Sequence, residues 1–296
     1  MGFVEKKLKA QSALEYVITY GWAILIITIV LAVLYVTIVS STGNLGGKLP
    51  AGSCHVIRPN GPGTTSQIGK TGECTGLPQD VASFSGSGGI RIPITWSSGS
   101  ETQTAWVYVS ALPATTQYIT QQYASIGGFS INSDGSVSFD VCNLVCIQPE
   151  KVTTAPGAIT PGKWYFIAGN YSATTLNGPA SLNVCVSSGA SLTCTSAAES
   201  TQLNPSTNHY HIGSTVNYGS AFVGNISNVQ VYTAGLSYNG LLAQYQQGIG
   251  GAPLDLNDLF AWYPLNGNGN DYSGNGYNGT SLGVSYTSTW KGYSAP

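Results

Sequence analysis

The sequence predicts a mainly β protein, a two-sheet antiparallel sandwich carried behind one long hydrophobic α-helix. Three observations predict it. Residues Val17 to Val39 are apolar or aromatic apart from three threonines and one glycine. Behind them, short runs rich in β-branched and aromatic residues recur between clusters of Gly, Asn, Asp, Pro and Ser, the punctuation of an all-β domain. All six cysteines lie after the apolar stretch, and an even number suits disulfides in a translocated region.

The helix comes first in the chain. No charged residue occurs from Tyr16 to Gly47. A helix over Tyr16–Val39 would extend about 36 Å at roughly 1.5 Å per residue, enough for a hydrocarbon core of roughly 30 Å. Ile, Val and Thr are poor helix formers in water, but in lipid every backbone group must be satisfied internally, which forces the helix. Lys6, Lys7 and Lys9 precede it, so the amino end belongs in the cytoplasm and the remainder outside. Apolar residues on every side fit a lipid-facing anchor and a buried filament core equally. An ordinary secretory signal is cut after its apolar run; here the polar joint Ala10-Gln11 comes before it.

Lys6, Lys7, Lys9, Ala10, Gln11, Ser12 and Glu15, followed by Thr19-Tyr20-Gly21-Trp22-Ala23-Ile24-Leu25, resemble the class III signal of archaeal type IV pilin-like proteins. The resemblance implies that a prepilin peptidase removes residues 1–10 by cutting between Ala10 and Gln11. It implies that residues 11–42 stay as a transmembrane, pilin-type helix. Glu15 would then sit near the new amino terminus of a neighbouring subunit in a homo- or hetero-oligomeric filament. An uncleaved single-pass anchor and a conventional signal cut near Ser41 are the alternatives.

Residues 43–76 are rich in Gly, Pro and Thr and read as a linker or a loop stapled by Cys54 and Cys74. Residues 77–250 carry the sandwich rhythm. The expected strands are Ile90–Thr95, Thr104–Ser110, Tyr118–Tyr123, Phe129–Ile131, Val137–Val141, Trp164–Tyr171, Leu182–Val186, Tyr210–Ile212 and Ile226–Tyr232. Asp134-Gly135 marks a hairpin turn. Val137–Val141 alternates apolar and polar, as a half-buried strand does, whereas Ala105–Val109 is apolar throughout and suits a strand covered on both faces. Leu182–Val186 and Leu192–Thr195 read as hairpin arms, and a turn at Gly189-Ala190 sets Cys185 opposite Cys194. Cys142 and Cys146 bracket a short turn. Their spacing lacks the second close pair or the histidines that a zinc site requires. A short helix near Ser237–Gln247 places Tyr238, Leu241, Leu242 and Tyr245 on one face, with Gly248 as its stop.

Several segments in order resemble the LamG-like, concanavalin A-type jelly roll. They include Thr104-Ala105-Trp106-Val107-Tyr108, Pro161-Gly162-Lys163-Trp164-Tyr165, His211-Ile212-Gly213-Ser214 and Phe222-Val223-Gly224-Asn225-Ile226. Leu259 to Asn268 resembles the opening strand of such a domain but stands at the end. Residues 251–296 are therefore expected either to fold back and complete their own sandwich or to complete a neighbour's.

Charged residues make up only 7% of the chain, against about 25% ordinarily. No basic surface is available, which excludes nucleic acid as a partner. Glycoside hydrolysis needs two carboxylates facing one sugar bond. Asp80, Glu101, Asp134, Asp140, Glu150 and Glu199 are scattered singly, while Asp255 and Asp258 stand three apart, so the expectation is a non-enzyme. His209 and His211 alternate on a strand and read as strand residues rather than metal ligands. No cofactor motif is present. The oxygen-rich cluster Asn266, Asn268, Asn270 and Asp271 is the one calcium candidate, against its plainer reading as a turn. Asn170, Asn225 and Asn278 head acceptor sequons for glycosylation. The expectation is a cell-surface filament subunit, embedded in the membrane by its helix, whose extracellular head binds a glycan or a surface protein. A single-pass, non-polymerising lectin is the alternative, and a glycoside hydrolase the remote one.

Overall fold

The computed structural model describes residues 18–34 and 48–296, except residues 65, 75, 95–98, 123–126, 142–149, 174–179 and 200–208. It divides into two compact units, residues 1–47 and 48–296.

In the first unit, helix α1 occupies residues 18–34. Its apolar side chains are exposed on all sides, Trp22 by 63%. The expected span over 11–42 is thus a helix of 17 residues among those described, about 26 Å long. No helix among the described residues is long and apolar enough to cross a membrane. Ala10, Gln11 and Glu15 lie outside the described residues, as do Cys142 and Cys146.

The second unit opens with a hairpin of β1 (Cys54–Ile57) and β2 (Gly69–Gly72), stapled by the Cys54–Cys74 disulfide. It is held onto the rest of the unit. The guanidinium of Arg58 donates to the carbonyls of Ser273 at 2.9 Å and Leu259 at 2.8 Å, and Val56 N donates to Tyr272 O. The segment expected as a linker or stapled loop is, from Lys48 onward, part of the folded unit.

Next come β3 (Val81–Ile92), β4 (Glu101–Tyr108), β5 (Gln117–Tyr118), β6 (Thr120–Gln121), β7 (Gly128–Ile131), β8 (Val137–Val141) and β9 (Glu150–Thr153). They are followed by β10 (Trp164–Ala173), β11 (Ala180–Ser188), β12 (Ser191–Glu199), β13 (Tyr210–Ile212) and β14 (Val223–Tyr232). Helix α2 (Tyr238–Gln246), β15 (Leu259–Tyr263) and β16 (Thr280–Thr287) complete the unit. The large sheet runs β12-β11-β10-β4-β14-β3-β13-β6, with β15 added on β14 and β16 on β3; the small sheet runs β5-β7-β8-β9. All ladders are antiparallel. The chain crosses between sheets at Ile119, whose N donates to Phe129 O.

The main core fills the space between the sheets, with Ala105, Val107, Phe129, Phe139, Ile167, Val184 and Tyr263 among its members. The sheets approach closely at Gly169, where an added Cβ would run into the Phe139 ring. A second core covers the other face of the large sheet, where Trp106, Trp164 and Phe166 meet Leu241 and Tyr245 of α2. β4 is therefore buried on both faces, as its unbroken apolar run implies. Val137–Val141 departs from its half-buried reading, because all five residues are buried. Val137, Phe139 and Val141 enter the core, while Ser138 on the other side bonds Asn132 and Thr153.

The tail strand folds back into its own chain. β15 pairs with β14, and β16 with β3. Ala261, Tyr263 and Leu265 are fully buried in the main core. We expect a chain ending at Pro253 to show no cooperative melting transition by circular dichroism, because it loses these core residues and the ladders on β14 and β3. At the far edge, the Gly189-Ala190 turn, with Gly189 at φ 62°, sets Cys185 opposite Cys194, and the two form a disulfide. Replacing both by Ala is expected to lower unfolding stability by about 2–3 kcal/mol, the chain-entropy value for so short a loop, as read from denaturant midpoints.

Candidate functional site

The outer face of the large sheet changes character along its strands. At one end it is apolar and covered by α2. Ser237 caps this helix by accepting from Gly240 N at 3.2 Å, and Tyr245 packs its ring 5.6 Å from Trp106 and donates its hydroxyl to Gly189 O. Beyond the start of α2 the face turns polar. Register places Thr102 opposite Asn170, Asn170 opposite Asn183, and Asn183 opposite Ser196. This gives one cross-strand row over β4, β10, β11 and β12. Thr102 anchors one end: its hydroxyl donates to Ala234 O at 2.7 Å and accepts from Leu236 N at 2.8 Å.

Asn170, Asn183 and Ser196 of this row line an open cavity of about 540 Å³, with Ser172, Ser181, the Cys185–Cys194 disulfide, and a wall of Leu236, Ser237 and Tyr238, while Thr102 is buried beneath it. The row's amides are pre-set. Asn170 Nδ2 donates to Leu236 O at 2.6 Å, and Asn183 Nδ2 donates to Asn170 Oδ1 at 2.7 Å. Asn183 Oδ1 and the hydroxyls of Ser172, Ser181 and Ser196 retain bonding capacity toward the cavity. Tyr238 stands on the rim, 46% exposed. Fixed amides and hydroxyls beside an exposed aromatic ring are the groups that bind a polyol: the polar atoms orient hydroxyls, and the ring packs against C–H faces.

A larger cavity of about 760 Å³ lies at the β11–β12 tip, beside Lys163, Trp164 and Tyr165. Its aromatic faces are already used: Trp164 stacks on Trp290 at 6.1 Å, and Trp106 meets Tyr293 edge-on at 5.5 Å. The smaller cavity is therefore the better candidate.

The expected site residues fall as follows. Asn170 is only 7% exposed, and its Nδ2 is committed to Leu236 O, so the folded chain does not offer it as a glycosylation acceptor. Its sequon instead supplies a member of the polar row. Asn225 is half-buried in β14, and Asn278 is exposed. The calcium candidate is organised as a turn. Asp271 accepts from Trp262 N, Ser273 N, Ser273 Oγ and Tyr277 N. Asn266 accepts from Asp80 N and donates to Leu49 O. Among the described residues, no group of three or more His, Cys, Asp and Glu could hold a metal ion.

Of the acids, Glu101 is fully buried, and burial raises its pKa well above the usual range. Asp140 is raised to about 6, again by burial, against the lowering influence of Lys151. Neither lines the polar cavity. Asp255 accepts from Asp258 N at 3.4 Å, as a turn residue does. His211 is buried with Nδ1 unpartnered, and its ring meets Tyr218 edge-on at 5.3 Å.

The sequence reading did not single out Asn183 or Ser196. Their signal was present, since Cys185 opposite Cys194 places residue 183 opposite 196 by counting two positions along each arm.

A family profile described as the concanavalin A-like lectin/glucanases superfamily matches residues 84–239, more than half of the chain. The chain belongs to this superfamily. Among solved structures, it is similar to a protein from Bacteroides ovatus assigned to carbohydrate binding, at 18% identity over 81% of this chain and 70% of that one, with a TM-score of 0.50. It is also similar to a heptameric SAP-like pentraxin from Limulus polyphemus, at 15% identity over 70% and 94% of the two chains, with a TM-score of 0.46. A third is the CBM40 of a Ruminococcus gnavus IT-sialidase bound to α2,3-sialyllactose, at 14% identity over 50% and 83%, with a TM-score of 0.37. No curated protein matches the chain. At these identities the Bacteroides likeness shows the fold alone.

Burial, then Arg91 and His209, lowers the pKa of His211 to about 4. The fold thus favours its neutral ring, and the stability this contributes is present above about pH 6.5 and lost as pH falls toward 4. Asp140, raised, contributes in the opposite sense between about pH 3.8 and 6. Melting midpoints of the wild type and His211→Asn across pH 4–7 are expected to converge toward pH 4, because only the wild type carries the histidine's loss.

Proposed function

We propose that this protein is a cell-surface filament subunit displaying a carbohydrate-binding head. The single observation that carries the head's role is the pre-set row Thr102–Asn170–Asn183–Ser196 beside the exposed ring of Tyr238. The superfamily supports it, and two disulfides suit an extracellular domain. No carboxylate pair lines the polar cavity, and the function is binding rather than hydrolysis.

The filament role rests on α1 and the residues before it. A helix apolar on every side needs either lipid or other helices around it. The class III-like signal favours processing by a prepilin peptidase between Ala10 and Gln11, with Glu15 guiding assembly. A single-pass anchored lectin is the second reading, favoured by the same all-round apolar surface of α1. Amino-terminal sequencing of the mature protein separates the two: a start at Gln11 supports assembly, and an intact Met1 supports the anchor. Electron microscopy of sheared surface material then looks for filaments.

A glycan array identifies the ligand of the head. Asn183→Ala is expected to weaken binding about tenfold, the loss of roughly one net hydrogen bond's contribution. Tyr238→Ala is expected to weaken it by a similar factor. Unchanged binding in both variants would move the site elsewhere.

A further inference from the structure

At its β3–β13–β6 end the large sheet carries a second polar row, separate from the cavity. Register sets Gln121 opposite His211, His211 opposite Arg91, and Arg91 opposite Thr280, across β6, β13, β3 and β16. Ile90, Ile92, Tyr210 and Ile212 alternate with these residues and fill the main core, so Arg91 and His211 face outward. Arg91 is exposed. Its Nη2 donates to His209 Nε2 at 2.9 Å. His211 is only 2% exposed, and its Nδ1 has no partner. Tyr218 packs edge-on against the His211 ring at 5.3 Å. Tyr218 and Ser220 both hold left-handed backbone, with φ of 58° and 42°, a cost that non-glycine residues bear mostly at functional sites.

The row is electrostatically incomplete. An arginine can only donate, so the ring nitrogen it meets must be unprotonated. Among the described residues, the side-chain bonds of Arg91 all go to that ring. Burial, then Arg91, holds the pKa of His209 below its ordinary value. The groups that act on His211 are Arg91 and His209, both basic, and no carboxylate joins them. Tyr218 is the remaining titratable group against His211, since β6 and β16 bring only Gln121 and Thr280 across the register. Three basic side chains are gathered in a chain with few charges, and the acid that would balance them is not supplied by the fold.

We propose that Arg91, His209 and His211 form a site for one oxyanion, a carboxylate or a sulfate group. The guanidinium fork donates to two of its oxygens. Released from accepting the Arg91 bond, His209 takes up a proton and donates to the same group. His211 beneath adds its charge when protonated, and the exposed hydroxyl of Thr280 stands beside Arg91 on the other flank. A single guanidinium with two histidines suits one isolated group rather than a run of phosphates. This assignment is independent of what the polar cavity binds.

The test is an NMR titration of the three histidine rings of the full chain in detergent micelles. Sodium sulfate, sodium acetate, sodium glucuronate and sodium chloride are compared at matched ionic strength. Sulfate or a carboxylate is expected to raise the His209 midpoint saturably, by about one pH unit, and chloride is not. His55, on the stapled hairpin, is the internal reference. Affinity is expected to tighten between about pH 7 and 5.5, the range in which a histidine charges. Arg91→Ala is expected to abolish the saturable shift. Arg91→Lys, which keeps the charge but loses the fork, is expected to weaken it about tenfold. Glucuronate saturating below acetate would assign the oxyanion to a sugar, and equal saturation would assign it to a free anion; the site stands in both cases. Three outcomes overturn it: no saturable shift with any oxyanion in the unmodified chain, an equal shift at His55, or a shift that persists in Arg91→Ala. The first two are read without any variant.

Discussion

The second unit depends on the return of its tail to the sheet. β15 completes one side of β14, and β16 runs along β3. The returning segment delivers Ala261, Tyr263 and Leu265 to the main core, and Trp262 to a smaller cluster with Cys54 and Val56. Each large side chain so buried contributes about 1.5–3 kcal/mol, and whole domains are stable by only about 5–15 kcal/mol. The stapled hairpin depends on the same return, because Arg58 closes on carbonyls of Leu259 and Ser273. Asp271, with both carboxylate oxygens taken by main-chain and hydroxyl donors, fixes the turn that makes those carbonyls available. The two ends of the folded unit therefore hold each other in place.

Much of this architecture was legible in the sequence. Val137–Val141 and Tyr210–Ile212 form strands over the expected residues, and α2 lies within a residue of its expected bounds. The apolar run of Ala105–Val109 announced a strand covered twice. Among the strands that escaped notice are β9 and β16. β9, Glu-Lys-Val-Thr, buries one side chain only, and β16 is largely exposed. β9 carries no period-two apolar signal, because it lies at an edge and owes its place to the neighbouring strand, whereas β16 does alternate, with Leu282, Val284 and Tyr286 on one side. Val137–Val141 misled in the other direction. Its alternation is real, but the polar side is also covered, and Ser138 there is satisfied by hydrogen bonds rather than by water.

The candidate site was less legible, since binding rows run across strands while sequence runs along them. Thr102, Asn170, Asn183 and Ser196 come from four strands and meet only through register. Asn170 stood out for another reason, as a sequon, and the fold gives it a different use. The oxygen-rich cluster at 266–271 shows the converse case: residues that suggest a cation on composition spend their oxygens on neighbouring amides.

Under the proposed function, the placement of α2 bears on what kind of sugar chain the cavity would take. Along the direction of β10 and β11, the cavity ends against Leu236, Ser237 and Tyr238, where the helix begins. A long polymer threaded parallel to the strands would collide with that barrier. Under the proposed function, that barrier suits the terminus of a glycan, a branch tip or a capping sugar rather than an unbroken run of polymer.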